Sequence, residues 1–329
     1  LYGLAVPTGV NSRTGIGGLT LGGGVGWLVR KHGLTCDNVL SFEVVTAEGE
    51  LITASASSNP YLFWALCGGG GNFGIVTSFL FRAHPVSMVL GGLLIYPRDQ
   101  APSVMRHYRE FMKSAPDELT AYAGLLSTPD GTPAVGVLPC YSGDIADGER
   151  LLKPLRAFGT PMVDAIQPMP YLTMQTLLED AFPDNVHNYW KSTFVKELSD
   201  AALDVIIEHA NRMQSPHSAV VVEMYGGAVG RVGPADTAFA QRRTPYNVGI
   251  TAQWSNPAEA ATHIAWARAL AHALEPFSSG GTYLNFIGDE NPDAIRAAFG
   301  SNYPRLAQLK AKYDPTNFFS INQNVMPAS

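Results

Sequence analysis

The chain has 329 residues, of which 46% are hydrophobic and 15% charged, and it carries a net charge of −6 with a pI near 5.7. These values are typical of an ordinary globular protein with a core for about two domains. They argue against a nucleic-acid partner, which needs a basic surface, and no apolar run reaches the ~18–20 residues of a membrane span. We therefore expect a small-molecule substrate, no nucleic acid and no membrane, and the sequence leaves the oligomeric state open.

The cysteines give no sign of a disulfide framework or a metal site. Cys36, Cys67 and Cys140 are odd in number and far apart, which predicts buried, inert thiols and favours a reducing compartment, the cytoplasm. The first residues lack the basic-then-apolar order of a secretory signal. Because the chain begins at Leu1, inside a motif-like segment, we expect that sequence upstream of it is missing.

Two glycine clusters dominate the first 84 residues. One spans Gly15–Trp27 and the other spans Cys67–Gly74. Dense glycines let backbone N–H groups approach a ligand closely and adopt positive φ, which suits a diphosphate and part of a large planar cofactor. The clusters therefore predict a nucleotide-cofactor site.

The elements between the clusters are glycine-rich turns and β structure. Residues 42–53 predict a hairpin that turns at Glu48-Gly49, and residues 75–81 alternate as a strand. A short helix is predicted in between, with Asn59 as N-cap, Pro60 at its first position and Gly68 at its end.

From about residue 88 the pattern is that of a sheet covered by helices. The Thr128–Thr132 turn joins adjacent strands tightly, so at least part of this sheet must be antiparallel, and Asn256 is predicted to cap a helix. Strands are predicted at 89–96, 120–127, 134–141, 189–197, 219–225, 247–254 and 282–287, and helices at 101–114, 146–158, 200–214, 257–274 and 291–311.

Other nucleotide and hydrolase motifs do not fit. Residues 69–74 match G-x-G-x-x-G formally, but they follow a helix and open a strand, whereas the dinucleotide-binding fingerprint follows a strand and opens a helix. The chain contains no Gly-Lys dipeptide, G-x-S-x-G or H-E-x-x-H, which excludes the motif-based phosphate-loop, hydrolase and metalloprotease interpretations.

Several motifs, taken together and in order, resemble the FAD-linked oxidases of the berberine-bridge-enzyme-like group, in the vanillyl-alcohol-oxidase superfamily with its PCMH-type FAD-binding domain. The resemblance covers essentially the whole chain, with a loosely matched middle. The matching segments are 7–10, 17–27, 31–38, 59–77, 283–286 and 313–324.

This resemblance implies an α+β fold: a partial PCMH-type FAD-binding domain plus a substrate domain with a large antiparallel sheet covered by helices. Residues 1–84 would form the second half of the FAD-binding domain, 85–312 the substrate-binding domain, and 313–329 a C-terminal segment that returns to the FAD domain. The first FAD subdomain, with the histidine that often bonds to the flavin, would lie upstream of Leu1.

The resemblance also implies which residues hold the FAD. Val6 stands where many relatives carry a cysteine, so we expect no cysteinyl link to the flavin. By motif matching, the cofactor contacts would come from Gly9, Gly17, Gly18, Gly22, Gly23, the Val76 backbone, Tyr283, Asn285 and Asn322.

For the chemistry, the family removes a proton from its substrate while a hydride passes to flavin N5, and molecular oxygen usually reoxidises the flavin. The base of some relatives, a glutamate, falls at Asn247, and that of others, a tyrosine, falls at Phe286. Asn247 can orient a substrate but is no useful base, and Phe286 can only pack. Tyr225 and Tyr246 remain as phenols.

Either phenol could act if a neighbouring cation lowered its pKa. Lys191 matches a pocket lysine of relatives and is the candidate for that cation. The predicted catalytic residues are therefore Tyr225, Tyr246, Asn247 and Lys191.

The function predicted is that of an FAD-dependent, oxidase-like oxidoreductase, truncated at its N-terminus, which moves a hydride from an alcohol, sugar or phenolic natural product to the flavin. The alternative is a flavin-free, non-redox binding protein or catalyst that uses the substrate-domain cleft. Loss of both usual bases favours the alternative. Three features argue against it: the two glycine clusters, Tyr283-x-Asn285 and Asn322-Gln-Asn324. The substrate, and the choice between oxidase and dehydrogenase, stay open.

Overall fold

A computed structural model describes residues 2–287, 292–321 and 323–329. Within these ranges the strands, in chain order, are β1 (Leu4–Ala5), β2 (Val39–Val45), β3 (Leu51–Ser55), β4 (Ile75–Phe81), β5 (His84–Pro85), β6 (Met88–Gly91), β7 (Leu94–Pro97), β8 (Leu119–Ser127), β9 (Pro133–Tyr141), β10 (Val163–Asp164), β11 (Gln167–Pro170), β12 (His187–Val195), β13 (Ala219–Met224) and β14 (Tyr246–Trp254). The α-helices are α1 (Ile16–Leu21), α2 (Val29–His32), α3 (Pro60–Leu66), α4 (Ala101–Lys113), α5 (Ile145–Arg156), α6 (Tyr171–Gln175), α7 (Asp200–Ala210), α8 (Ala228–Arg231), α9 (Ala260–Ala273), α10 (Pro292–Phe299) and α11 (Tyr303–Tyr313). None of the helices in these ranges has both the length and the apolar character that a bilayer crossing requires.

The chain forms two compact units. The first comprises Leu1–Pro85, Gly226–Arg243 and Gly280–Ser329, and the second comprises Val86–Tyr225 and Thr244–Ser279. Residues 226–243 and 280–312, which the sequence places in the substrate domain, lie in the first compact unit, and the functional domain bounds stay a prediction.

Hydrogen bonds inside the first unit explain this assignment. The indole Nε1 of Trp64, on α3, donates to the carbonyl of Ala235 at 2.8 Å. The amide of Asn302, just before α11, donates to the carbonyl of Pro234 at 2.7 Å. The first bond ties residues 226–243 to the glycine-rich half of the chain, and the second ties the two returning segments to each other.

The first unit contains a three-stranded antiparallel sheet in the order β3-β2-β4. The predicted hairpin is confirmed: β2 and β3 pair, and Gly49 adopts φ 82° in the turn. The predicted strand at 75–81 is confirmed as β4. The predicted helix begins at Pro60 with Asn59 at the N-cap position, as predicted, but the Asn59 side chain makes no capping bond and its amide donates to the carbonyl of Thr53 instead.

The second unit contains a nine-stranded sheet whose strand pairs are all antiparallel, in agreement with the fold that the motifs implied. Its main path runs β10-β7-β9-β8-β13-β14-β12, and β6 joins β11 to β9. The Thr128–Thr132 turn connects β8 to β9, as predicted, with Gly131 at φ 85°. The predicted strand 89–96 is broken in two at Gly92, whose φ is 143° and where a Cβ would overlap the carbonyl of Ala165.

Three predicted elements of the C-terminal part differ in the structure. Residues 284–286 form a 3-10 turn and no strand, and the Asn285 side chain is bonded to Leu19 in the first glycine cluster. The predicted helix 291–311 is two helices, α10 and α11, separated at Gly300 with φ 52°; residue 291 lies outside the described residues. The helix predicted at 257–274 begins with a 3-10 turn, and Asn256 caps it as predicted by accepting from Ala258 N.

Strand register divides the large sheet into two faces. On the helix-covered face, apolar side chains of the strands pack with those of α4, α7 and α9 in the main core. The strand members of this core include Ala121, Ala123, Val220, Val222, Val248 and Ile250. Because strand side chains alternate, the intervening positions lie on the opposite face, which we call the polar face and define by Tyr122, Phe194, Glu223 and Asn247.

A buried ion pair supports the last helix of the first unit. The Lys310 ammonium donates to the Asp314 carboxylate at 2.6 Å and to the carbonyls of Asn72 and Phe319 at 2.8 Å each. Both charged side chains are fully buried. Removing one charge of such a pair leaves the other buried without compensation.

We expect Asp314→Asn to lower the free energy of unfolding by about 3–5 kcal/mol, because the Lys310 charge loses its counter-ion. Chemical denaturation of the purified variant measures this. Asp293→Asn is the matched control, since the Asp293 side chain is 93% exposed and its loss should stay within about 0.5 kcal/mol. A loss below about 1 kcal/mol for Asp314→Asn would show that the two carbonyls alone compensate the ammonium.

Candidate active site

The first glycine cluster offers exposed backbone. Helix α1 begins after Gly15 and has no acidic residue in its first turn. The first N–H groups of a helix have no acceptor within it, and its N-terminal end favours an anion. A Cβ on Gly18 would meet nothing within 4 Å. This stretch therefore fits the diphosphate of FAD in both space and charge.

Two residues of the matching segment 283–286, Tyr283 and Asn285, hold this cluster in shape. The phenol oxygen of Tyr283 accepts from the Gly24 N–H at 3.1 Å and from the Asn285 amide at 2.8 Å. The same amide of Asn285 donates to the carbonyl of Leu19 at 3.0 Å. A Cβ on Gly22 would overlap Oδ1 of Asn285, so packing alone requires a glycine there. Two predicted flavin contacts, Tyr283 and Asn285, thus organise the glycine cluster itself, and their contact with the flavin stays a prediction.

The other predicted FAD residues lie around this cluster or on β4. A Cβ on Gly9 would meet Leu19, one on Gly17 would meet the Phe79 ring, and one on Gly23 would meet Phe239. Val76 pairs with Val44 on β2, and β4 is the outer strand of its sheet within the described residues. Asn322 lies outside the described residues.

Asn72 is a structural residue of the second glycine cluster that the sequence analysis did not single out. Its amide donates to the carbonyls of Gly69 at 2.8 Å and Gln323 at 3.1 Å, and its Oδ1 accepts from the Val325 N–H at 2.9 Å. The C-terminal segment is thereby tied to the glycine cluster. The asparagine between Gly71 and Phe73 was the visible signal.

The three cysteines are buried free thiols. Burial is the largest cause that raises the pKa of Cys36, Cys67 and Cys140 above the ordinary value. Thiols that stay protonated are poor nucleophiles. Their surroundings are thus those of inert core side chains.

On the polar face, a carboxylate that the sequence analysis missed sits in the middle of the sheet. Glu223 on β13 lies directly opposite Asn247 on β14 and Tyr122 on β8. Oε2 of Glu223 accepts from the Asn247 amide at 2.7 Å and from the Tyr225 hydroxyl at 3.1 Å. The ring of Phe194 packs edge-on against that of Tyr225, with centroids 5.5 Å apart. The visible signal was one charged residue inside the apolar run Ala219–Tyr225.

The environment of Glu223 changes its acidity. Its exposure is 6%, and burial raises the pKa of its carboxyl to about 7, while the hydrogen bonds from Asn247 and Tyr225 oppose that rise. A carboxyl with a pKa near neutrality can both take up and release a proton under physiological conditions. This buried group is therefore suited to proton transfer.

Asn247 presents an unused acceptor beside this carboxyl. The residue is fully buried, its amide nitrogen is bound to Glu223, and its Oδ1 has no hydrogen-bond partner among the described residues. Leaving a buried acceptor unpaired costs about 1–3 kcal/mol. Such an atom fits a hydroxyl or N–H donor of a ligand.

Register places the other two predicted catalytic residues on the helix-covered face. Lys191 pairs with Ile250, and its ammonium lies 6.0 Å from the centroid of the Tyr189 ring. Tyr246 is part of the main core. Tyr225 and Asn247 are thus the predicted residues that Glu223 brings together, and catalytic roles for Lys191 and Tyr246 stay predictions without support from the register.

Comparison with known proteins identifies the family. A family model described as "Berberine and berberine like" matches residues 282–326, and one described as "FAD binding domain" matches residues 1–55. An FAD-linked oxidoreductase of Dictyostelium discoideum is 32% identical over 330 residues, which cover 99% of this chain and 71% of that protein. The chain belongs to the berberine-bridge-enzyme-like FAD-linked oxidoreductases.

Other members of this family share the fold. The crystal structure of 6-hydroxy-D-nicotine oxidase from Arthrobacter nicotinovorans has a TM-score of 0.88 at 27% identity, over 99% of this chain and 74% of that one. A chitooligosaccharide oxidase of Gibberella zeae is 29% identical over 98% of this chain and 70% of that protein. The chain is therefore an FAD-linked, oxidase-like oxidoreductase acting on a small molecule, and the flavin-free alternative finds no support.

The raised pKa of Glu223 predicts that replacing this residue stabilises the fold in a pH-dependent way. As far as this group is concerned, the wild-type fold has its full stability below the ordinary, unfolded-state pKa of about 4.3, where the carboxyl is protonated in both states. That contribution to stability falls as pH rises and is lost once pH passes the folded-state pKa of about 7. We expect Glu223→Gln to gain stability relative to the wild type between pH 5 and 8, by about 3 kcal/mol in total. Thermal unfolding at several pH values measures the difference. The exposed Glu149→Gln is the control, and a gap independent of pH would contradict the raised pKa.

The open surroundings of Gly18 allow a test of the diphosphate contact. We expect Gly18→Asp to weaken FAD binding about tenfold relative to Gly18→Asn, because the two side chains differ only in charge. Flavin absorbance retained after removal of unbound FAD measures binding. Equal flavin retention by both variants would show that the diphosphate does not bind next to α1.

Proposed function

We propose that this enzyme oxidises a hydroxyl-bearing small molecule, an alcohol, sugar or phenolic natural product, with molecular oxygen as the final electron acceptor. When bound, FAD accepts the two electrons of the substrate as a hydride at N5. The observation that carries the substrate class is the buried Oδ1 of Asn247, which has no hydrogen-bond partner among the described residues and has the chemistry to accept from a donor such as a hydroxyl.

Different residues of the chain bind the FAD and act on the substrate. Backbone groups of Gly17 and Gly18 hold the FAD diphosphate, Tyr283 and Asn285 fix the glycine cluster in the required shape, and the flavin is held without a cysteinyl link, since Val6 has no sulfur. In the second unit, Asn247 orients the substrate hydroxyl. Tyr225 takes its proton.

Two features favour Tyr225 over Tyr246 for this step. The Tyr225 hydroxyl already points its hydrogen bond at a carboxylate, which is the arrangement by which a phenol passes on a proton. Tyr246 lies on the helix-covered face, within the apolar core. The two chemically identical side chains therefore differ in their place in the sheet.

We expect Tyr225→Phe to slow flavin reduction by about 10²-fold or more, with a smaller change in substrate affinity, because the substrate proton loses its acceptor. Stopped-flow absorbance of the FAD-loaded enzyme measures this, with chitooligosaccharides, 6-hydroxy-D-nicotine and simple aromatic alcohols as probes. Tyr246→Phe is the matched comparison. A larger loss in Tyr246→Phe than in Tyr225→Phe would reverse the assignment.

A further inference from the structure

The polar face contains a buried carboxyl group, that of Glu223, whose own part in the proposed reaction is not yet assigned. Glu223 touches Tyr225 and Asn247, the two residues assigned to the substrate, and both bonds end on the same oxygen, Oε2. All three side chains are at most 6% exposed. No cation among the described residues acts on the Glu223 carboxyl, and burying an unpaired carboxylate is costly, which makes its presence here a feature to explain.

We propose that Glu223 is the proton-holding residue behind Tyr225: as the substrate hydroxyl gives its proton to the Tyr225 oxygen, the Tyr225 proton moves to Oε2 of Glu223. This inference rests on the proposed function. Glu223 does not touch the substrate in this scheme, so it is a positioning residue, and Tyr225 remains the catalytic one.

The step balances in atoms and charge. The substrate O–H bond breaks as a new O–H bond forms on Tyr225. The old Tyr225 O–H bond breaks as Glu223 becomes a neutral carboxylic acid. The hydrogen of the substrate C–H bond leaves with its electron pair, as a hydride that FAD would accept. The substrate carbon–oxygen bond becomes a double bond. Tyr225 ends the step as a neutral phenol, and the buried carboxylate charge disappears. No free phenolate has to persist in a buried site.

This arrangement removes the need for a cation beside Tyr225. Lys191 was the candidate cation for lowering the pKa of a phenol, but Lys191 lies on the other face of the sheet. An acceptor 3.1 Å away performs the same task, because it receives the proton directly. The missing family base at Asn247 is thereby replaced by a carboxylate on the neighbouring strand.

Recovery of Glu223 for the next turnover follows from its surroundings. Burial raises the pKa of Glu223 to about 7, so the carboxyl can lose the proton again near neutral pH. Two titratable side chains of the described residues lie next to it, Tyr225 and, on β8, Tyr122. Burial, and after it the charge of Glu223, raises the pKa of Tyr122 well above its ordinary value. Asn247 on β14 is neutral. Tyr122 therefore stays protonated while Glu223 titrates.

The first test uses the protein without substrate. Infrared spectroscopy follows the carboxyl band that appears on protonation, as pH is lowered from 9 to 5. We expect one band to titrate near pH 7, to be absent in Glu223→Gln, and to shift to higher pH in Tyr225→Phe, because the carboxylate loses a donor. A band that is unchanged in Tyr225→Phe would overturn the relay.

The second test measures flavin reduction in the FAD-loaded enzyme with chitooligosaccharides as the probe, and with 6-hydroxy-D-nicotine if these fail. The wild-type rate should fall as pH drops below about 7, and Glu223→Gln should be at least about tenfold slower and lack this limb. The double variant Glu223→Gln/Tyr225→Phe should be no slower than the slower single variant, because both substitutions interrupt the same proton transfer. Glu223→Asp should restore part of the rate and the limb.

Outcomes distinguish the relay from the proposed function. Wild-type rates and an unchanged limb in Glu223→Gln, or multiplying losses in the double variant, would overturn the relay and leave the function intact. If no probe reduces the flavin of the wild type, the proposed function loses support, and the infrared shift in Tyr225→Phe decides the coupling by itself.

Discussion

Register between four antiparallel strands is the constraint on which the candidate chemistry depends. It aligns Phe194, Asn247, Glu223 and Tyr122 in one row across β12, β14, β13 and β8. A slip of one residue in β14 would turn Asn247 to the helix-covered face and bring an apolar neighbour opposite Glu223. The apolar residues on the other face, packed against three helices, are what hold this register.

The same row explains why a buried carboxylate is tolerated. Glu223 gives up hydration, and two hydrogen bonds offset part of that loss, so the folded protein keeps a carboxyl that prefers to be neutral near pH 7. A glutamine would be the more stable choice at neutral pH. Retaining a group that destabilises the fold is a pattern found where chemistry, and not folding, determines the residue.

How much the sequence could predict depended on the range of the interaction. The hairpin at Glu48-Gly49 and the turn at Thr128–Thr132 were predicted correctly, because turn chemistry lies within a few residues. Residues 282–287 alternate like a strand, yet Tyr283 and Asn285 are bonded to Gly24 and Leu19, and this long-range pairing overrides the local pattern. Motifs identified the family and the fold, and the alternation within each strand was visible as well.

Cross-strand pairing was not visible in the sequence. Lys191 and Tyr225 are both suitable residue types for a pocket, and only the register of β12, β14 and β13 shows that they belong to different faces. Glu223 was overlooked for the same reason, since its value comes from Asn247, which is 24 residues away in the chain and directly opposite in the sheet.

The glycine clusters show a second way in which structure refines a motif. A glycine can be required either because a neighbouring side chain leaves no room for a Cβ or because a ligand approaches the backbone, and the sequence alone does not distinguish these two causes. Gly22 is required by Asn285 and Gly23 by Phe239, so their identity would be expected even without a cofactor. Gly18 has open space where a side chain would stand, and the adjacent helix start favours an anion. Gly18 is therefore stronger evidence for FAD contact than the denser glycines that follow it.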